Sequence, residues 1–77
     1  MASISNLDIK GMIVKVVPDL NLDQIEDDTL LREYNIDSID FFSIILEVQD
    51  AYGIEIPDED LDQCRTVNSI QRYCAQR

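Results

Sequence analysis

Seventy-seven residues suffice for one domain with one modest hydrophobic core, which excludes a multi-domain enzyme carrying its own substrate cleft. An apolar fraction of 45% is normal for a globular chain and argues against disorder, while 16 acids against six bases give a formal net charge of −10. No Lys or Arg stands between Arg32 and Arg65, so the interval from Glu33 to Asp62 carries a negative potential that repels nucleic acid and anionic membranes.

Such a surface suits protein partners with basic patches, although the same charge also serves simply to keep a chain soluble. The opening segment MASISNLDIK has no long apolar run behind a basic stretch, and no window reaches the length of a membrane span. A cytoplasmic monomer is expected, with both thiols, Cys64 and Cys74, reduced. The two cysteines are not in a CxxC arrangement and the chain has no histidine, so no metal site is expected.

In chain order, Ile9, Met12, Ile13, Val16 and Val17 follow the spacing of an amphipathic helix that Pro18 should end. Gly11 weakens that helix or lets a neighbouring element approach closely. From Asp19 to Asp37 the periodicity is poor. A structureless connection of that length is unusual in a compact domain, so the segment should contain a helical turn and pin its leucines on the core.

Residues 38 to 52 carry the strongest helix signal, with Asp40, Ser43, Glu47 and Asp50 in one polar arc. Phe41, Phe42, Ile44, Ile45, Leu46, Val48, Ala51 and Tyr52 cover so wide an angle that this should be the central helix, contacted from more than one direction. Asp37 is placed to cap its first turn and Gly53 to stop it. Ile54-Glu55-Ile56-Pro57 reads as an extended connector with two apolar anchors, and residues 58 to 63 as one short helix. Thr66 then caps a last helix whose stripe is Val67, Ile70, Tyr73 and Cys74. The expected fold is all-α: one domain over residues 1–77, a small three- to four-helix bundle with a long ordered loop between helices one and two.

Independent catalysis finds no parts. Ser38 lies beside Asp37 and Asp40, but a serine nucleophile needs a base, there is no histidine, and Lys10 and Lys15 belong to a distant helix. Carboxylates are plentiful, yet so small a bundle offers no evident pocket to perturb them for acid–base work. Asp58, Asp60 and Asp62 match the first ligand positions of an EF-hand loop. Gln63 then stands where the loop needs Gly, and Ser69 where it needs a bidentate Glu.

Taken alone, Ser38 would be an ordinary residue of a helix N-terminus. In context, Asp37-Ser38-Ile39-Asp40 opens a very apolar helix, Glu47 follows on its polar side, and Tyr52-Gly53-Ile54-Glu55-Ile56-Pro57 closes it. That order resembles the acyl carrier protein family, in which Asp-Ser-Leu begins the second helix and an aromatic residue, a small residue and Ile-x-Ile close it. Thr66-Val67 and Leu30-Leu31 extend the likeness to about two thirds of the chain, with the first helix matching in outline.

The resemblance implies a carrier rather than an enzyme. It makes Ser38 the attachment point for 4′-phosphopantetheine, delivered by a phosphopantetheinyl transferase, with acyl groups borne as thioesters on the arm in fatty-acid or polyketide-type biosynthesis. Acyl- or aminoacyl-loading and condensing enzymes with basic patches would be the other partners, meeting Asp37, Ile39, Asp40, Glu47 and Asp50. Ile39 stands where most of the family has Leu, Ser43 where an acid is common, and Phe41 and Phe42 are bulkier than usual, which implies a specialised carrier with its own partners. Two further readings stay open: an aminoacyl or peptidyl carrier using the same arm, and an acidic interaction or inhibitor protein with no prosthetic group.

Overall fold

Ser5, in extended backbone conformation, accepts a hydrogen bond from the Asp8 N–H through its Oγ at 3.1 Å, and this cap starts helix α1, Asn6–Val16. In the computed structural model, which describes residues 4–76, two further α-helices follow: α2, Ser38–Tyr52, and α3, Val67–Ala75. Met1, Ala2 and Ser3, the start of the segment read for a targeting signal, and Arg77 lie outside the described residues. Among the described residues no strand forms, and 3₁₀ turns occupy Leu22–Gln24, Leu31–Tyr34 and Asp58–Gln63. None of these helices is long and apolar enough to cross a membrane. The all-helical bundle expected from the sequence is the fold observed.

The hub of the bundle is α1, not α2 as the sequence pattern suggests. Helix α1 packs closely against both α2 and α3, whereas close backbone approaches between α2 and α3 are sparse. Ile9 and Ile13 are completely buried in this central position, and Met12, Val16 and Val17 pack at its margins. Each fully buried isoleucine contributes roughly 1.5–3 kcal/mol by leaving water. Gly11 faces open space on the outer side of α1, and no neighbouring element approaches it closely.

The long connection from Asp19 to Asp37 is ordered, and isoleucines anchor it more than leucines. Ile25, Leu31 and Ile36 are buried, Leu20 and Leu30 are half-buried, and Leu22 is exposed. Its polar ends are tied as well. The Tyr34 hydroxyl accepts from the Glu26 N–H at 2.8 Å, and the Leu31 N–H donates to the Arg65 carbonyl at 2.9 Å. A second tie joins three elements: Asn6 Nδ2 donates to Asn68 Oδ1 at 2.7 Å, and Asn68 Nδ2 donates to Asp28 Oδ1 at 2.6 Å. The Asn68 N–H donates to the Asp27 carbonyl at 2.9 Å, and Lys10 pairs with the Asp27 carboxylate at 2.8 Å. Hydrogen bonding from Lys10, and then from Asn6, holds the Asp27 carboxyl below the ordinary carboxylate range.

Helix α3 begins on a reciprocal cap, in which the Thr66 hydroxyl accepts from the Ser69 N–H and the Ser69 hydroxyl accepts from the Thr66 N–H. All four residues of its expected stripe, Val67, Ile70, Tyr73 and Cys74, are buried. Cys64 is buried just ahead of it. Burial, then the neighbouring Cys74 and Asp60, pushes the Cys64 thiol up to about 11, and burial also raises Cys74.

Candidate functional site

Helix α2 starts where sequence chemistry says it should. Asp37 is in extended conformation and its Oδ1 accepts from the Asp40 N–H at 2.9 Å, a cap of the kind that stabilises a helix by about 1 kcal/mol. Asn35, with φ of 62°, makes the left-handed turn that leads the chain into this cap. Ile36 and Phe41 occupy the two positions of a hydrophobic staple around the cap, fixing the angle at which the loop enters the helix. Gly53, also at φ 62°, ends the helix, and Gln49 Oε1 accepts from the Ile56 N–H at 2.6 Å to draw the connector back along it. Ile56 is buried and Ile54 half-buried, so both anchors of the connector engage.

This entry places the exposed Ser38 on the first turn of α2, at the mouth of a cavity of about 610 Å³. Leu30, Leu31, Ile36 and Phe41 give the cavity apolar walls, Asp37 and Ser38 form one edge, and Arg32 and Arg65 stand at its rim. The backbone bond from Leu31 to the Arg65 carbonyl brings the two rims together. The Arg65 guanidinium carbon lies 5.7 Å from the centre of the Phe41 ring, within cation–π range, and its Nη2 pairs with Asp62 at 2.6 Å. An exposed hydroxyl beside an apolar cavity with cationic borders fits a phosphodiester-linked, largely uncharged arm.

The remaining sequence-derived residues fall on the outer face of α2. Ile39, Ser43, Leu46 and Asp50 follow a helical i, i+4, i+7, i+11 stripe, flanked by Asp40 and Glu47 on one side and Phe42 on the other. Ile39 is 75% exposed, Leu46 62% and Phe42 48%, so the wide apolar arc is only half covered by the fold. Ile44, Ile45 and Val48 alone are buried, and the expected second contacting direction is open to solvent along Phe42, Leu46 and Ala51. Two of the acids already have local roles. Asp37 caps the helix, and Glu47 Oε2 accepts from Lys15 Nζ of α1 at 3.1 Å.

Sequence reasoning did not find the two arginines at the cavity. Their signal was present: Arg32 and Arg65 are the cations that bracket the all-acid interval, and the fold joins the ends of that interval beside Ser38.

Comparison with known proteins places the whole fold in a family. Residues 9–74 match the model of the phosphopantetheine attachment site family. The chain is 34% identical over 64 residues to an acyl carrier protein of Rhodococcus erythropolis, covering 82% of this chain and 70% of the relative. It is 32% identical over 77 residues to one of Syntrophobacter fumaroxidans, covering 90% and 94%. A meromycolate extension acyl carrier protein of Mycolicibacterium aurum is 38% identical over 45 residues, covering 58% and 46%. The chain belongs to the acyl carrier protein family, whose members bear 4′-phosphopantetheine and act as carriers rather than catalysts.

Proposed function

We propose that residues 1–77 form a single carrier domain in which Ser38 bears the 4′-phosphopantetheine arm, carrying acyl intermediates in fatty-acid or polyketide-type biosynthesis. The observation that carries this reading is the exposed placement of Ser38 on the first turn of α2, at the mouth of the apolar cavity. The other described serines are less suited. Ser5 and Ser69 use their hydroxyls as helix caps, and Ser43 is half-buried on the flank of α2.

When attached, the arm supplies a terminal thiol for thioester exchange, and the chain's own residues present and shelter it. Asp37 fixes the first turn, so the serine oxygen has a defined direction of exit. The first N–H groups of α2 favour negative charge at that point, which suits a phosphate ester. Leu30, Leu31, Ile36 and Phe41 offer an apolar wall beside it.

Phosphopantetheinyl transferases and acyl-handling enzymes are the partners of the family. For this chain the docking face is the outer side of α2, where Ile39 provides an apolar anchor and Asp40, Glu47 and Asp50 provide the charge, with Asp37 at the edge. The name of the Mycolicibacterium aurum relative supports an acyl cargo.

The test is incubation with a phosphopantetheinyl transferase and coenzyme A, read by intact mass and peptide mapping. Wild type should gain one phosphopantetheine on Ser38. Ser38→Ala should gain none while keeping its helical content by circular dichroism. Uptake at Ser43 or Ser69 would move the site, and an unmodified wild type would favour an acidic interaction protein without an arm.

A further inference from the structure

The two cations beside Ser38 have no function in the reading above. In a chain of net charge −10, the ends of the all-acid interval, Arg32 and Arg65, fold to the rim of one apolar cavity. Neither position is accidental to the fold. The Leu31 N–H bond to the Arg65 carbonyl joins the two backbone segments, and the Phe41 ring and Asp62 confine the Arg65 guanidinium. A guanidinium carries five N–H donors, so the contact of Nη2 with Asp62 leaves others free to face the cavity. Arg32 is exposed and, among the described residues, has no ion-pair partner.

We infer that Arg32 and Arg65 form an anion subsite for the phosphodiester of the arm, holding its proximal part against Leu30, Leu31 and Phe41 between deliveries. This rests on Ser38 as the attachment point. The phosphodiester is the anion proposed, because it is the first group beyond the Ser38 oxygen and attachment holds it at the edge of the cavity that Arg32 and Arg65 also line. A carboxylate at the end of a cargo has no such constraint. Asp37 borders the same cavity and opposes an anion there, but its carboxylate faces the Asp40 N–H, which draws its charge toward the helix. Guanidinium–phosphate contacts are planar, charge-assisted and stronger than neutral hydrogen bonds.

The experiment compares apo and arm-bearing protein for wild type, Arg32→Gln, Arg65→Gln and the double variant, with the arm on Ser38 first verified by mass. The readouts are the phosphorus NMR resonance of the phosphodiester and the change in melting temperature on attachment. Taking the difference between the two forms of each variant cancels the loss of the Phe41 and Asp62 contacts from Arg65→Gln. Attachment should raise the wild-type melting temperature by about 4 °C or more. In the double variant that gain should fall below half, and the phosphorus resonance should move to the position of free pantetheine phosphodiester, with the single variants between. Equal gains and one common resonance across all four proteins would overturn the subsite while leaving the carrier reading intact. Absence of the arm from Ser38 in wild type would overturn both.

Discussion

Helices α2 and α3 meet solvent on opposite terms. The shorter α3 buries its whole apolar stripe, Val67, Ile70, Tyr73 and Cys74, against α1 and the preceding turn. The longer and more apolar α2 buries Ile44, Ile45 and Val48 but leaves Ile39, Phe42 and Leu46 in water. Apolar content therefore does not measure contribution to the core. Helix α3 commits its stripe to the bundle centred on α1, and the surplus of α2 is available to other molecules beside Ser38, so partner preference can change on one helix without disturbing the packing of the other.

The sharpest division is expected in stability. Ile70→Ala removes a completely buried side chain and should cost about 2–5 kcal/mol, enough to unfold much of so small a domain. Leu46→Ala, on the open face, should fall within about 0.5 kcal/mol of wild type. Urea unfolding midpoints check both. Comparable losses from the two would show that the α2 stripe is packed in solution, and the contrast between the helices would disappear.

A smaller effect should appear at alkaline pH on the α3 side. The Cys64 thiol, raised from 9.0 to about 11 chiefly by burial, is held neutral by the fold. Its preference for the folded state is complete below about pH 9 and is lost as pH rises through about 11. Tyr52, raised by burial and by the charges of Asp8 and Cys74, adds to the same decline. Melting temperatures should drop across this window. Cys64→Ala should lie lower throughout because of the cavity it leaves, yet show a flatter slope, whereas Leu46→Ala should keep the wild-type slope. Parallel curves for wild type and Cys64→Ala would assign the decline to other groups.

Much of this contrast was legible in the sequence, for identifiable reasons. The caps Asp37 and Thr66 and the stop at Gly53 are local chemistry, and local chemistry is written in adjacent residues. The stripe of α3 is narrow and has one reading. The arc of α2 is wide and has two, enclosure or partial exposure, and only the position of α1 decides between them. The hub role of α1 was hidden because its own stripe looks ordinary. In the candidate site, Ser38 stood out through its neighbours on the chain, while Arg32 and Arg65 are neighbours only in space. Their approach depends on the Leu31 to Arg65 backbone bond, a long-range contact with no side-chain signature.

The finest distinction lies within the exposed face of α2, between its apolar anchor and its charges. Ile39 is 75% exposed beside Ser38, so Ile39→Ala should weaken the complex with the transferase about tenfold, with little dependence on salt. Asp40→Lys and Glu47→Lys should instead slow loading at low ionic strength, and the deficit should shrink as salt is added. Glu47 has a further feature that the sequence does not reveal: Lys15 already pairs with its Oε2 at 3.1 Å and competes with a basic partner for its charge. Exposed pairs contribute at most about 1 kcal/mol, so Lys15→Gln should speed loading at low salt by no more than about fivefold. The measurement is a series of loading rates at several ionic strengths on variants shown to be folded by circular dichroism. Should both charge reversals load at the wild-type rate in low salt, the acids of α2 would serve solubility alone, and recognition would have to lie in the segment that leads into Asp37. Slower loading by Lys15→Gln would make Lys15 part of the docking surface rather than a competitor for it, and the boundary between the two sides of the molecule would move onto α1.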